Sequence, residues 1–195
     1  MSDQSRQINK GSDVDERLAA LLANAGAIRT VAAAVEGTIG PKGLNCMLVD
    51  RFGDVIITND GSAILDKIDV THPASRMLIN TAKAQDDEVG DGTTTATVLA
   101  SALISEGTNQ VVRGVPVTKV IEGIRLGVSE AVSYITEQAK QISDFDNPLL
   151  MQTALVSARG QNDLAELSVK AAKLVGLDKL ADPAFRLADA VVSKE

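Results

Sequence analysis

Apolar residues recur at helical spacing from Leu18 onward, with Leu18, Leu21, Leu22, Ala25, Ile28, Ala32 and Val35 on one stripe. The stripe predicts an amphipathic helix, ended by Gly37 and Gly40-Pro41. Upstream, residues 1 to about 12 are polar and read as extended or disordered. The pattern then changes. Met47 to Asp50 and Val55 to Thr58 are short apolar, partly β-branched runs on either side of Arg51-Phe52-Gly53-Asp54, which predicts a hairpin. Asn59-Asp60-Gly61 is a turn signal after the second run. Helical spacing returns over Ser62 to Ile68, Ala74 to Gln85 and Thr93 to Glu106, with His72-Pro73 as a break. A further long helix follows Gly114-Val115-Pro116, with Thr118 as its cap and Val120, Ile121, Ile124, Val128, Val132 and Ile135 on it. Two last helices are expected at about Leu149 to Ala158 and Asp163 to Val175.

The fold class is therefore mainly α with a small β-hairpin. Composition agrees: 45% of the 195 residues are hydrophobic but only 2% aromatic, so the core must be built from Ala, Val, Leu and Ile. No internal repeat is evident, and a composition shift near Ile142 to Pro148 marks a domain boundary. The formal charge of -7 argues against a general nucleic-acid binder, which needs a basic face. A nucleotide is still allowed, because a few local groups and a metal ion can neutralise a triphosphate. Cys46 is the only cysteine, which excludes an intrachain disulfide and a thiolate metal cluster, and it reads as a small buried hydrophobe. The polar N-terminus lacks a signal core, and no run is expected to reach membrane-spanning length. The expectation is a cytoplasmic protein without a membrane partner.

Three loops carry candidate chemistry. In Gly90-Asp91-Gly92-Thr93-Thr94-Thr95, two glycines permit a sharp backbone bend around an acid, and the threonines open a helix. A helix N-terminus offers unpaired N–H groups and partial positive charge to a phosphate. Asp91 is a hard oxygen ligand suited to Mg2+. An N-cap accounts for one Asp or one Thr, but not for two glycines and three threonines, so the run is read as a phosphate and metal site. Thr38-Ile39-Gly40-Pro41-Lys42-Gly43 supports an anion contact and an ordinary helix stop equally; it has no Walker A spacing. Asp60 stands at a strand-to-helix turn, where capping the next helix and orienting a water or cation are equally open. Together the loops supply backbone donors, one carboxylate for a metal and another for an attacking water.

These segments resemble the chaperonins, ring-shaped ATP-driven protein-folding machines. Thr38 to Gly43, Val55 to Gly61 and Gln85 to Thr95 are similar to the archaeal, thermosome-like branch, as are Gln85 to Glu88 and His72-Pro73. The resemblance implies that Thr38, Ile39, Gly40 and Pro41 line the nucleotide and that Asp91 binds Mg2+. It implies that Gly92, Thr93, Thr94 and Thr95 cradle the phosphates, Asp60 assists hydrolysis and Gly61 contacts the nucleotide. The implied cofactors are ATP and Mg2+, with K+ as an accompanying cation. A lysine that senses the γ-phosphate in that branch corresponds here to Arg159, which keeps the charge with a different geometry.

By the same resemblance, residues 1–145 correspond to the N-terminal part of the equatorial, ATP-binding domain and 146–195 to the ascending part of the intermediate domain. The hairpin corresponds to a stem-loop that pairs with a neighbouring subunit of the ring. Unfolded clients would be gripped, and a second catalytic aspartate supplied, by parts of the family's subunits absent from this chain. Two functions follow as expectations: a portion of an ATP-driven folding subunit, or a non-catalytic fragment that docks into or blocks such rings. A third, an unrelated phosphotransferase, lacks an acceptor site; His72, the only histidine, precedes a proline and reads as structural.

Overall fold

The computed structural model describes residues 5–40, 42–49, 53–180, 182, 185 and 190, with side chains from Leu18 onward. Contacts divide the chain into two compact units, 1–133 and 134–195. The composition shift at Ile142 to Pro148 falls in the second unit, on the segment entering its first whole helix.

The first unit begins with α1 (Ser5–Glu36). Its start overturns the expectation of an extended or disordered segment up to residue 12, from Ser5 onward. Polar sequence does not exclude helix, since Arg, Gln, Lys and Glu are good helix formers. The second half of the predicted stripe turns inward: Ala25, Ile28, Ala32 and Val35 are buried, joined by Val31, whereas Leu18 and Leu21 are half-buried and Leu22 is exposed. Leu18–Glu36 is nevertheless long and apolar enough to cross a membrane by length and composition, contrary to the sequence expectation. Its alanines add to the leucines, isoleucine and valines in raising the mean hydropathy, while Ile28, Val31 and Val35 pack inward and Leu22 stays exposed.

The hairpin pairs β1 (Cys46–Val49) with β2 (Val55–Thr58) antiparallel, in the register Met47 to Ile57 and Val49 to Val55. Its turn lies partly outside the described residues. Alternation puts Cys46, Leu48, Ile56 and Thr58 half-buried on one face and leaves Met47, Val49, Val55 and Ile57 exposed on the other. Asn59 Nδ2 donates to Asn45 Oδ1 at 2.9 Å and closes the open end.

Behind the hairpin stand α2 (Gly61–Lys67), α3 (Pro73–Val89) and α4 (Thr93–Val112). His72 does serve structure: its Nδ1 accepts the Ala74 N–H at 3.2 Å as the N-cap of α3, with Pro73 in the first turn, where a missing N–H costs nothing. The core joins Ile28, Val31 and Val35 of α1 to Ile64 and Leu65 of α2 and Leu78, Ile79 and Ala82 of α3. Ile64 and Leu65 are fully buried, each contributing roughly 1.5–3 kcal/mol of apolar transfer. The packed side of α4 uses small polar residues, Thr93, Thr97, Ser101 and Thr108. Thr97 satisfies its buried hydroxyl by donating to Thr93 O at 2.8 Å, which leaves a slim face for α1 to approach.

The long helix α5 (Val117–Gln138) starts one residue before Thr118, which overturns the reading of that threonine as its cap. The Pro116 carbonyl accepts the N–H groups of Lys119 and Val120, so Thr118 already lies in the first turn. No residue of α5 is buried. Within the first unit it faces α4 across an apolar groove of about 620 Å³ lined by Leu99, Leu103, Val120, Ile124 and Val128. Gly107 of α4 sits where a Cβ would lie 3.3 Å from Val120 Cγ1.

The second unit holds α6 (Pro148–Ser157), α7 (Asn162–Val175) and the short α8 (Leu177–Leu180), which the sequence periodicity does not announce. Asn147 caps α6 through Oδ1, which accepts the Leu149 N–H at 3.0 Å. Ala165 and Val169 of α7 are buried within this unit, and Lys173 pairs with Asp146 at 2.9 Å.

Candidate functional site

The Gly90–Thr95 loop owes its shape to two left-handed glycines. Gly90 (φ 73°) terminates α3, its N–H donating to Asp86 O at 2.8 Å, and Gly92 (φ 79°) is the N-cap residue of α4. Residues with a Cβ adopt this conformation at a cost. Because the N-cap residue is a glycine, no side chain caps α4. Its first-turn amides, backed by the dipole of a 20-residue helix, remain suited to an anion. Between the glycines Asp91 is exposed, with Oδ1 accepting the Gly92 N–H at 2.7 Å.

The three threonines differ. Thr93 is buried, Thr94 half-buried and Thr95 exposed. The Thr93 hydroxyl donates to Asp86 Oδ1 at a long 3.5 Å. Thr94 Oγ1 packs on Gly61 so closely that a Cβ at Gly61 would overlap it. The strand-to-helix turn and the Gly-Asp-Gly loop, 30 residues apart in sequence, are thus in contact. Asp60 itself is exposed and caps α2: Oδ2 accepts the Ala63 N–H at 2.9 Å, while its own N–H donates to Thr58 Oγ1 at 3.1 Å. One of the two roles left open by sequence is therefore present, and it does not exclude the other, because a capping carboxylate keeps further lone pairs.

The turn after α1 is built differently. Thr38 is buried, and its hydroxyl donates back to Val35 O at 2.8 Å. Ile39 is exposed and Gly40 is left-handed at φ 83°. Gly43 N–H closes the turn on Gly40 O at 3.0 Å, and a Cβ at Gly43 would overlap the Thr38 carbonyl. Pro41 lies outside the described residues. Arg159 belongs to the second unit, exposed in the loop after α6, and has positive φ (52°) ahead of Gly160.

Sequence reasoning passed over three residues that buttress the site. Gln85 Nε2 donates to Asp91 O at 3.0 Å, and Ser62 Oγ donates to Asp86 Oδ2 at 2.8 Å. Gln85 and Asp86 lie in the closing turns of α3, so the signal available was a polar pair just before a glycine stop, which also describes any solvated helix end.

The arrangement is consistent with a metal-bound triphosphate. Among the described residues no three His, Cys, Asp or Glu side chains converge as a metal site. A protein-caged metal is thus not formed by them. Mg2+ instead takes one or two carboxylates and completes its shell with phosphate oxygens and water. Asp91, beside uncapped amides and next to residues without a Cβ, offers that donor set.

A family model of the TCP-1/cpn60 chaperonins matches residues 31–190. A thermosome subunit of Pyrococcus abyssi is 40% identical over 159 residues, covering 78% of this chain and 29% of that protein. The thermosome subunit beta of Archaeoglobus fulgidus is 43% identical over 155 residues, 76% of this chain and 28% of that protein. The chain thus spans less than a third of the length of these relatives. A crystal structure of a group III chaperonin in the open state superposes with a TM-score of 0.82 at 46% identity, covering 93% of this chain and 36% of that one.

Proposed function

Because this chain belongs to the TCP-1/cpn60 chaperonin family, we propose that it is the nucleotide-binding N-terminal portion of a protein-folding chaperone subunit. The observation that carries this reading is the seating of Gly61 on Thr94, which joins the Asp60 turn to the uncapped N-terminus of α4. In this reading the α4 amides and the Thr94 and Thr95 hydroxyls hold the phosphates of ATP. Asp91 holds Mg2+, which when bound neutralises phosphate charge. Asp60 stands at the mouth of the same site and orients the attacking water, with its capped oxygen fixing the carboxylate. Thr38, Ile39, Gly40 and Pro41 line the nucleotide, K+ accompanies Mg2+, and Arg159 answers to the γ-phosphate. Residues 1–145 are the equatorial part and 146–195 the ascending intermediate part.

The ring partner is another chaperonin subunit, met through the hairpin. Its exposed face of Met47, Val49, Val55 and Ile57 is apolar, and among the described residues its outer strand edges carry no further strand, which leaves them open to pairing with another chain. The test is calorimetry of the 195-residue chain with ATP, with and without Mg2+, together with phosphate release. Saturable Mg2+-dependent binding with little turnover is expected, since the resemblance takes a second catalytic carboxylate from residues outside this chain. Absence of binding would overturn the reading, and robust turnover would overturn the division of the catalytic set.

A further inference from the structure

We propose that Asp86 is a positioning residue that holds the two halves of the phosphate site at their working distance. This inference rests on the nucleotide-binding reading above. The carboxylate is placed between three elements. Asp86 belongs to α3; Oδ2 accepts from Ser62 Oγ in the first turn of α2 at 2.8 Å, and Oδ1 accepts from Thr93 Oγ1 at the start of α4 at 3.5 Å. Its backbone carbonyl takes the Gly90 N–H, which fixes the exit of α3 into the Gly-Asp-Gly loop. The preceding Gln85 reaches the Asp91 carbonyl. One turn of α3 therefore grips both walls of the contact between Gly61 and Thr94.

The sign of the charge makes the assignment informative. A carboxylate one side chain away from a helix N-terminus that receives phosphate repels the ligand. Electrostatics alone would thus have its removal tighten the binding of Mg·ATP. The compensating gain comes from one short hydrogen bond, from Ser62 at 2.8 Å, and a longer contact with Thr93 at 3.5 Å: the loop is ordered before the nucleotide arrives, so less ordering is required on binding. The Thr93 hydroxyl is directed to Asp86 rather than outward, which leaves its backbone amide and the Thr94 and Thr95 side chains as the donors toward a phosphate.

The experiment measures the Mg·ATP dissociation constant of the wild type, Asp86→Ala, Asp86→Asn, Ser62→Ala, Thr93→Ser and Thr93→Val by calorimetry, at a temperature where circular dichroism finds each folded. Asp86→Ala is expected to weaken binding about ten- to a hundredfold, the range for losing hydrogen bonds to a charged group. Asp86→Asn and Ser62→Ala are expected to lie between it and the wild type, and Thr93→Ser to match the wild type. The Asp86→Ala/Thr93→Val double variant is expected to bind no more weakly than the weaker single variant, because one interaction is removed twice. If Asp86→Ala does not fold, the Ser62→Ala and Asp86→Asn values decide. Unchanged or tighter binding in these variants, beside a wild type that binds, overturns the positioning role alone. A wild type that does not bind overturns the functional reading and the role with it.

Discussion

Replacing Gly61 by Ala tests the site at its tightest point. Gly61 is the first residue of α2 and is buried; a Cβ there overlaps Thr94 Oγ1 and approaches Thr94 Cβ to 3.2 Å. Restoring ordinary contact requires roughly an ångström of movement between the α2 and α4 N-termini or a forced rotation of Thr94. Overpacking of this kind costs about 1–3 kcal/mol. The alanine returns up to about 1 kcal/mol of helix propensity, less at a first position than in a helix interior. The net expectation is a loss of about 1–2 kcal/mol in urea unfolding followed by circular dichroism. The Mg·ATP dissociation constant should rise about tenfold, since the displaced group belongs to the proposed phosphate cradle. Gly61→Ala/Thr94→Ala removes the hydroxyl and γ-methyl that the new Cβ strikes. The double variant should therefore recover about 0.5–1 kcal/mol relative to the sum of the singles. Additive losses, or a Gly61→Ala protein with wild-type stability and affinity, would refute the reasoning.

Other substitutions separate scaffold from site. Ile64→Ala, at a fully buried position behind the Asp60 turn, should cost about 2–5 kcal/mol in urea unfolding, with cavity formation adding to lost transfer energy. Asp60→Ala should lose about 1 kcal/mol with the α2 cap, whereas Asp60→Asn, an equally good cap, should stay close to the wild type in the same measurement. Asp91→Asn should abolish most of the difference between ATP binding with and without Mg2+, read by calorimetry, while leaving the melting temperature nearly unchanged. A hydrogen bond from Lys83, aided by its charge, holds Asp66 below the ordinary value of 3.8. Such a carboxylate contributes stability above its unfolded pKa and loses it as pH falls through the lower folded value. Between about pH 5 and lower values, the urea midpoint of Lys83→Met should therefore fall less steeply than that of the wild type.

Periodicity revealed what depends on a neighbour three or four residues away. The α1 stripe, the hairpin and most helix starts were legible because spacing and Gly or Pro punctuation are local. Helix ends were less so: α3 runs on to Val89, since Asp86-Asp87-Glu88 looks like loop but continues the helix to its glycine stop. Thr118 was misread because Thr is a common cap, while a proline carbonyl just upstream performed the task. At the site, the glycines announced a sharp bend around Asp91, which the structure makes with both Gly90 and Gly92 left-handed. The contact of Gly61 with Thr94 and the grip of Asp86 on Ser62 were not announced. They join residues 24 to 33 positions apart, and no one-dimensional pattern encodes which serine meets which carboxylate.

The unburied helix α5 has a consequence for how stability is distributed. Helices in proteins draw most of their stability from packing an apolar face, and over the 22 residues of α5, about 33 Å long, Gly123 and Gly127 each weaken the helix by up to about 1 kcal/mol relative to Ala. Hydrogen exchange is expected to be slowest for amides of α1 to α3 that back the shared core and faster for those of α5, which can open without breaking that core. Order in α5 and occupancy of the groove beside it are then one variable. Any surface that covers Val120, Ile124 and Val128 would then add to the stability of α5 as well as fill the groove.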